Sequence, residues 1–180
     1  VYDEAKYRAH QVAEQRIAAG APVVIVQPAG VYGPGDHSEL GNTIDQASKG
    51  LTPLIPFASA GFCMVHVDDV ARGIVAAYDK GRTGESYVLA GDTVTMKELV
   101  QLTARLAGKY VPRYPLPTTL IKLSAPLGPL IGPLLGFPPN LKELISAFDG
   151  VTYWASDAKA RSELGFETRP LNEGLAELLN

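Results

Sequence analysis

Cysteine, tryptophan, methionine and histidine are all scarce in this 180-residue chain, which holds one Cys, one Trp, two Met and three His. The single thiol, Cys63, excludes an internal disulfide framework and any cysteine-built zinc centre, and it suits a reducing, cytoplasmic setting. The histidines are scattered and no carboxylates cluster around them, so no metal site is expected. Charge is thin as well, at 19% of residues with a formal net charge of −3 and no basic run. That balance offers no electrostatic footprint for nucleic acid. An uninterrupted apolar stretch is also missing. Residues 123–141 carry no charge, but Pro126, Pro129, Pro133, Pro138 and Pro139 break them, with Gly128, Gly132 and Gly136 between. A membrane-spanning helix must satisfy its own backbone, and this density of breakers works against one. A broken apolar lid or docking segment is expected there instead. The opening residues, Val1-Tyr2-Asp3-Glu4-Ala5-Lys6, are too polar for a cleavable signal.

What is present is 46% hydrophobic residues, enough for a sizeable core in a globular chain. A helical pattern runs over residues 2–19, with Val12, Ile17 and several alanines as its packing face, and Gly20 and Pro22 stop it. Val23-Val24-Ile25-Val26 reads as a strand buried on both faces, as in a parallel sheet. A rigid loop with three glycines follows, Pro28-Ala29-Gly30-Val31-Tyr32-Gly33-Pro34-Gly35-Asp36. A short helix is expected over 42–48, a strand over 62–67, and a helix to about 78 capped by Asp68-Asp69. Another strand spans 86–90. Thr95-Met96-Lys97-Glu98 is a capping box opening a helix to about 107. Ser156-Asp157 caps a helix ending at Leu164-Gly165, and 172–179 forms the last helix. Trp154 beside Tyr153 reads as core. Alternating strands and helices make the class α/β.

Tyr2 and Lys6 lie four apart on the first helix and so share one face. An ammonium group near a phenol favours the phenolate and lowers its pKa, which suits a tyrosine for passing a proton to or from a hydroxyl. The spacing alone also fits an exposed surface pair. His66 reads as a structural hydrogen-bonder beside Asp68, His37 as an exposed loop residue with access to substrate, and the 68–69 pair as a cap.

The order of these motifs carries more. A Tyr-x-x-x-Lys helix and a buried strand precede Pro28-Ala29-Gly30-Val31-Tyr32-Gly33-Pro34, then Val65-His66-Val67-Asp68-Asp69-Val70-Ala71, then Asp157-Ala158-Lys159-Ala160-Arg161-Ser162-Glu163-Leu164-Gly165-Phe166. In that order the chain resembles the extended short-chain dehydrogenase/reductases, which include nucleotide-sugar epimerases and dehydratases, dihydroflavonol reductases and hydroxysteroid dehydrogenases. The resemblance implies the C-terminal part of a Rossmann-type parallel-sheet fold plus a small mixed α/β substrate-binding domain. Residues 1–50, with 68–90 returning, would belong to the first; 51–67 and 91–180 would belong mainly to the second. It further implies Tyr2 as acid/base and Lys6 as its partner and a ribose contact. Pro28, Ala29, Gly30 and Val31 would line the nicotinamide of NAD or NADP. Tyr32, Asp36, His37 and His66 would border the substrate cleft. Gln27 departs from the pattern, since many relatives carry Arg there. The family's Gly-x-x-Gly-x-x-Gly loop, which meets the pyrophosphate at a helix N-terminus, does not occur. It is expected on a segment of about 110–150 residues upstream, so this chain alone is expected to be inactive.

Segment 110–150 is where relatives build their substrate site. Its few charges, among them Arg113 and Lys122, and its apolar bias favour an uncharged, lipophilic substrate over a diphosphate. A reductase of the dihydroflavonol or hydroxysteroid type therefore leads, followed by an epimerase or dehydratase. A catalytically inactive binding or regulatory protein is the other reading, and a membrane-surface lipid binder rests on 123–141 alone. A homodimer is expected from the resemblance, because relatives pair their Tyr-x-x-x-Lys helices between subunits.

Overall fold

The computed structural model describes residues 2–124, 145 and 148–179. The apolar run at 123–141 and the segment at 141–148 lie almost wholly outside the described residues. Among the described residues, no helix is long and apolar enough to cross a membrane.

Two sheets organise the chain. In the first, β1 (Ile25–Pro28) pairs in parallel with β4 (Ser86–Leu89), Ile25 opposite Ser86 and Pro28 opposite Leu89. In the second, β3 (Gly61–His66) is the hub. Along it run β2 (Gly30–Tyr32) in parallel, β5 (Asp92–Thr95) antiparallel, and β6 (Thr152–Tyr153) in parallel on the edge that β2 leaves open. All six residues of β3 are buried, because both of its faces meet a core. Met64 and Phe62 enter a cluster with Tyr32, Ile55, Leu99 and Leu175. Val65 enters another with Val70, Leu89, Leu164 and Phe166. This is the α/β class that the alternating pattern predicted.

Helices fill the spaces between. They are α1 (Tyr2–Ala18), α2 (Glu39–Ser48), α3 (Val67–Lys80), α4 (Met96–Leu106), α5 (Thr118–Ser124), α6 (Ala158–Leu164) and α7 (Leu171–Leu179). The capping box of α4 is complete. The Thr95 hydroxyl accepts from the Glu98 N–H, and the Glu98 carboxylate accepts from the Thr95 N–H. Thr95→Ala should therefore lower stability by about 1 kcal/mol, read as an earlier urea midpoint at unchanged slope. Gly165 ends α6 in the left-handed region at φ +71°, which a residue with a Cβ rarely adopts.

Several expectations need correction. The packing face assigned to α1 is not buried, and Val12 is 54% exposed. Val12 and Ile17 are five apart, about 140° around a helix, so they cannot share a face. The strand expected at 23–26 begins at Ile25 instead and runs to Pro28, and residues 23–26 are half-buried rather than buried on both faces. Among the described residues it has one paired neighbour, β4. Inside the expected glycine loop, residues 30–32 form a strand. A Cβ at Gly30 would lie 3.2 Å from the Cys63 carbonyl oxygen, so glycine lets this strand approach β3 closely. β5 and β6 were not expected at all. Trp154 is 59% exposed and is not core.

The 68–69 pair also differs from its expected role. The side chain that caps α3 belongs to His66, whose Nδ1 accepts from the Asp68 N–H at 3.2 Å. Asp69 is wholly buried and faces the C-terminal segment.

Candidate functional site

Parallel strands of an open α/β sheet leave a crevice beyond their carboxyl ends, because the chain departs to opposite sides there. Such a crevice exists here between the two sheets. It has a volume of about 460 Å³ and is lined on one side by Gln27, Pro28, Ala29 and Gly30 with Val88, and on the other by Phe62, Cys63, Phe148, Tyr153 and Ala155. Pro28 has no N–H, and the Ala29 N–H is spent on the Leu89 carbonyl at 3.0 Å. Among the described residues of this wall, Gln27 has the one polar side chain.

The opposite wall is aromatic. Phe62 and Tyr153 are partners in the β3–β6 register, and their rings stack at 6.3 Å and 18°. Phe148 meets Phe62 edge-on at 5.7 Å. The Cys63 thiol fixes the chain after β6, accepting from the Ala155 N–H at 3.2 Å. No charged side chain is among the described residues that line the crevice.

Pro28, Ala29 and Gly30 thus reach the crevice, whereas half-buried Val31 packs on the core beside β1 and β4. Tyr32 and His66 are buried, at 1% and 4% exposure, and meet each other edge-on at 5.3 Å. Neither lines the crevice. Burial, with the charge of Asp69 next, pushes the Tyr32 phenol up to about 12. Its hydroxyl has no hydrogen-bond partner among the described residues, and a Cβ at Gly174 would sit 2.1 Å from it. Gly174→Ala should accordingly cost about 1–3 kcal/mol through overpacking, and thermal unfolding would register it as a lower Tm. Asp36 receives the Ser38 N–H at 2.8 Å, and His37 is exposed beside it. Tyr2 and Lys6 occupy the first two turns of α1, and Lys6 is exposed.

A buried polar cluster stands at the start of α3. Asp69 accepts from the Arg169 N–H at 2.8 Å and from its Nε at 3.1 Å, and it also pairs with Arg72. Burial alone would raise this carboxyl. The hydrogen bonds and charge of Arg169, with Arg72, outweigh it and hold the carboxyl below its ordinary value. Arg169 pairs in turn with Glu177 of α7. The cluster closes the C-terminal segment over α3, a structural task. Among the described residues no group of three or more His, Cys, Asp or Glu could hold a metal ion.

The crevice contacts Phe62, Phe148 and Tyr153 were not singled out from the sequence. The two residues of β6 are too short a run to show strand periodicity, so nothing signalled that Tyr153 would face Phe62.

Comparison with known proteins adds four findings. Residues 1–90 match the family described as NAD dependent epimerase/dehydratase. The chain is 30% identical over 162 residues to short-chain dehydrogenase/reductase family 42E member 1 of Bos taurus, covering 82% of this chain and 41% of that protein. It is 25% identical to a putative dihydroflavonol 4-reductase of Synechocystis, over 99% of this chain and 53% of that one. The solved structure of a nucleoside-diphosphate-sugar epimerase from Pseudomonas aeruginosa superposes with a TM-score of 0.75 at 26% identity, covering 97% of this chain and 52% of that one. The chain therefore spans about half the length of the relatives it matches.

Proposed function

Because this chain belongs to the NAD dependent epimerase/dehydratase family, with its Rossmann-type α/β fold, we propose that it supplies the catalytic pair and substrate crevice of an NAD(P)-dependent oxidoreductase. The reaction interconverts a hydroxyl and a carbonyl on a small lipophilic substrate. The crevice beyond the carboxyl ends of β1 and β4 is the observation that carries this reading.

The residues present fit one end of the cofactor. Pro28 and Ala29 offer a flat apolar wall of the kind a nicotinamide ring lies against, at the end of a parallel strand. The chain has no glycine-rich pyrophosphate loop, so the fit is to the nicotinamide end only. When bound, the cofactor would supply or accept the hydride. The chain's own work is the proton. Tyr2 donates it to the nascent alkoxide during reduction and removes it from the hydroxyl during oxidation. Lys6, one turn along the same helix, would keep the phenolate form within reach and would hold the ribose of the bound cofactor. The apolar crevice excludes water from the reacting carbon. Residues 1–50 and 68–90 make up the cofactor side in this assignment.

An epimerase or dehydratase acting on a nucleotide sugar is the second reading, favoured by the likeness to the Pseudomonas epimerase. A nucleotide sugar's diphosphate calls for cations, and the described lining offers none.

Fluorescence titration with NADH and NADPH tests the cofactor assignment. Binding of millimolar strength or weaker is expected for these 180 residues, with Pro28→Asp weakening it further. Micromolar binding would mean that a dinucleotide groove forms without the glycine loop, and the assignment of the nicotinamide end alone would fall.

A further inference from the structure

We propose that the face formed by residues 50–55, residues 109–116 and α5 docks on the surface of a bilayer rich in anionic phospholipid. This goes beyond the oxidoreductase reading and does not depend on it.

The Ile55 N–H donates to the Tyr114 carbonyl at 3.1 Å, and the Leu116 N–H donates to the Ile55 carbonyl at 2.8 Å, so the first two segments run side by side in parallel. A Cβ on Gly50 would lie 3.4 Å from that of Lys109, which extends the contact to their upstream ends. Leu51, Leu54, Tyr110 and Tyr114, all exposed, therefore stand on adjacent chains. α5 begins two residues beyond Leu116. Its Ile121 is buried in the core, while Leu120 and Leu123, three apart on its outer side, are 57% and 80% exposed. Single exposed leucines are ordinary, but six large apolar residues gathered on neighbouring segments mark an interaction surface. Of the six, Leu123 alone belongs to the uncharged run at 123–141.

Charge decides the partner. Residues 99–124 contain Arg105, Lys109, Arg113 and Lys122 and no Asp or Glu, a charge of +4 in a chain whose net charge is −3, so the rest carries −7. Residues 46–67, which hold the other segment, have no Asp or Glu either. Lys109 and Arg113 are exposed, neither pairs with a carboxylate among the described residues, and each directly precedes a tyrosine of the face. An acidic chain that keeps its carboxylates off one apolar face is complementary to negative headgroups. Cations are drawn to an anionic leaflet, and tyrosine settles at headgroup depth with its ring inward and its hydroxyl in water. The centre of a protein–protein interface is by contrast poor in lysine.

Co-sedimentation of the 180-residue protein with vesicles tests this, using phosphatidylcholine alone or mixed equally with phosphatidylglycerol. Binding is expected to the mixed vesicles only, and it should weaken as salt is raised. Lys109→Ala with Arg113→Ala should weaken it about thirtyfold, and Tyr110→Ser with Tyr114→Ser about tenfold. Arg16→Ala and Tyr78→Ser, at exposed positions on α1 and α3, should leave it unchanged. The substituted side chains are all exposed, and equal urea midpoints would verify that the fold is kept. No binding to the mixed vesicles, equal binding to both kinds, or equal effects of the face and control substitutions would each overturn the proposal. A dimer that Tyr110→Ser with Tyr114→Ser dissolves, seen in sedimentation velocity without vesicle binding, would overturn it in favour of a second copy of this chain.

Discussion

Under the proposed role of Tyr2, Tyr2→Phe should lower kcat by about 10²–10⁴-fold, the usual contribution of one positioned acid/base, and leave cofactor affinity within a few-fold. The measurement is steady-state reduction of a ring ketone, followed by nicotinamide absorbance, in a preparation that supports turnover with the wild-type chain. The expected pattern follows from what the substitution removes. The phenylalanine ring keeps the shape of the tyrosine, so only the proton transfer is lost. Lys6→Met makes a sharper companion. In the proposed pairing the ammonium favours the phenolate, so Lys6→Met should move the rise of alcohol oxidation with pH to higher pH. A Tyr2→Phe variant with unchanged kcat would return the chain to the reading of a binding or regulatory protein. A loss confined to KM would mean that the hydroxyl only binds substrate.

Asp69→Ala should cost about 3–5 kcal/mol, the range seen when one member of a buried ion pair is removed. Asp69 is fully buried and accepts two bonds from Arg169, whose side chain is itself only 19% exposed. Removing the carboxylate leaves that guanidinium with Glu177 and Asp68, both exposed, as its carboxylate partners among the described residues. The same cluster predicts the direction of a pH effect. Burial would raise the Asp69 carboxyl, but the hydrogen bonds and charges of Arg169 and Arg72 prevail and depress it. A depressed carboxyl adds stability above its unfolded pKa, near about 4, and loses that contribution as pH falls through the folded value. Urea midpoints of wild type and Asp69→Ala should therefore differ widely at neutral pH and converge on acidification. A constant gap would refute the ion-pair account.

Much of the architecture could be read from local signals. The Thr95–Glu98 capping box is a short-range pattern whose chemistry is complete within one helical turn, so its structure follows from the residues themselves. The same holds for Gly165, where a left-handed residue ends a helix. Asp69 shows why other features stayed hidden. An acidic residue at a helix start is favourable in any setting, so the sequence could not distinguish a cap from a buried anchor for a segment 100 residues away. Tyr153 was hidden for a related reason, since its position opposite Phe62 is set by a long-range pairing of two residues. Of the expected site, Pro28, Ala29 and Gly30 reach the crevice because they span the junction from the end of β1 to the start of β2. Tyr32 and His66 turn into the core because strand alternation, not motif membership, decides which side a residue faces.

His66 is both the last residue of β3 and the cap of α3, so strand and helix meet with no intervening link. A joint without slack behaves as a rigid elbow. Since β3 carries the aromatic wall of the crevice and α3 packs beside β1 and β4, tilting one wall drags the other with it. Widening of the crevice is therefore mechanically stiff at this end, and its width is set by the elbow rather than by whatever enters it.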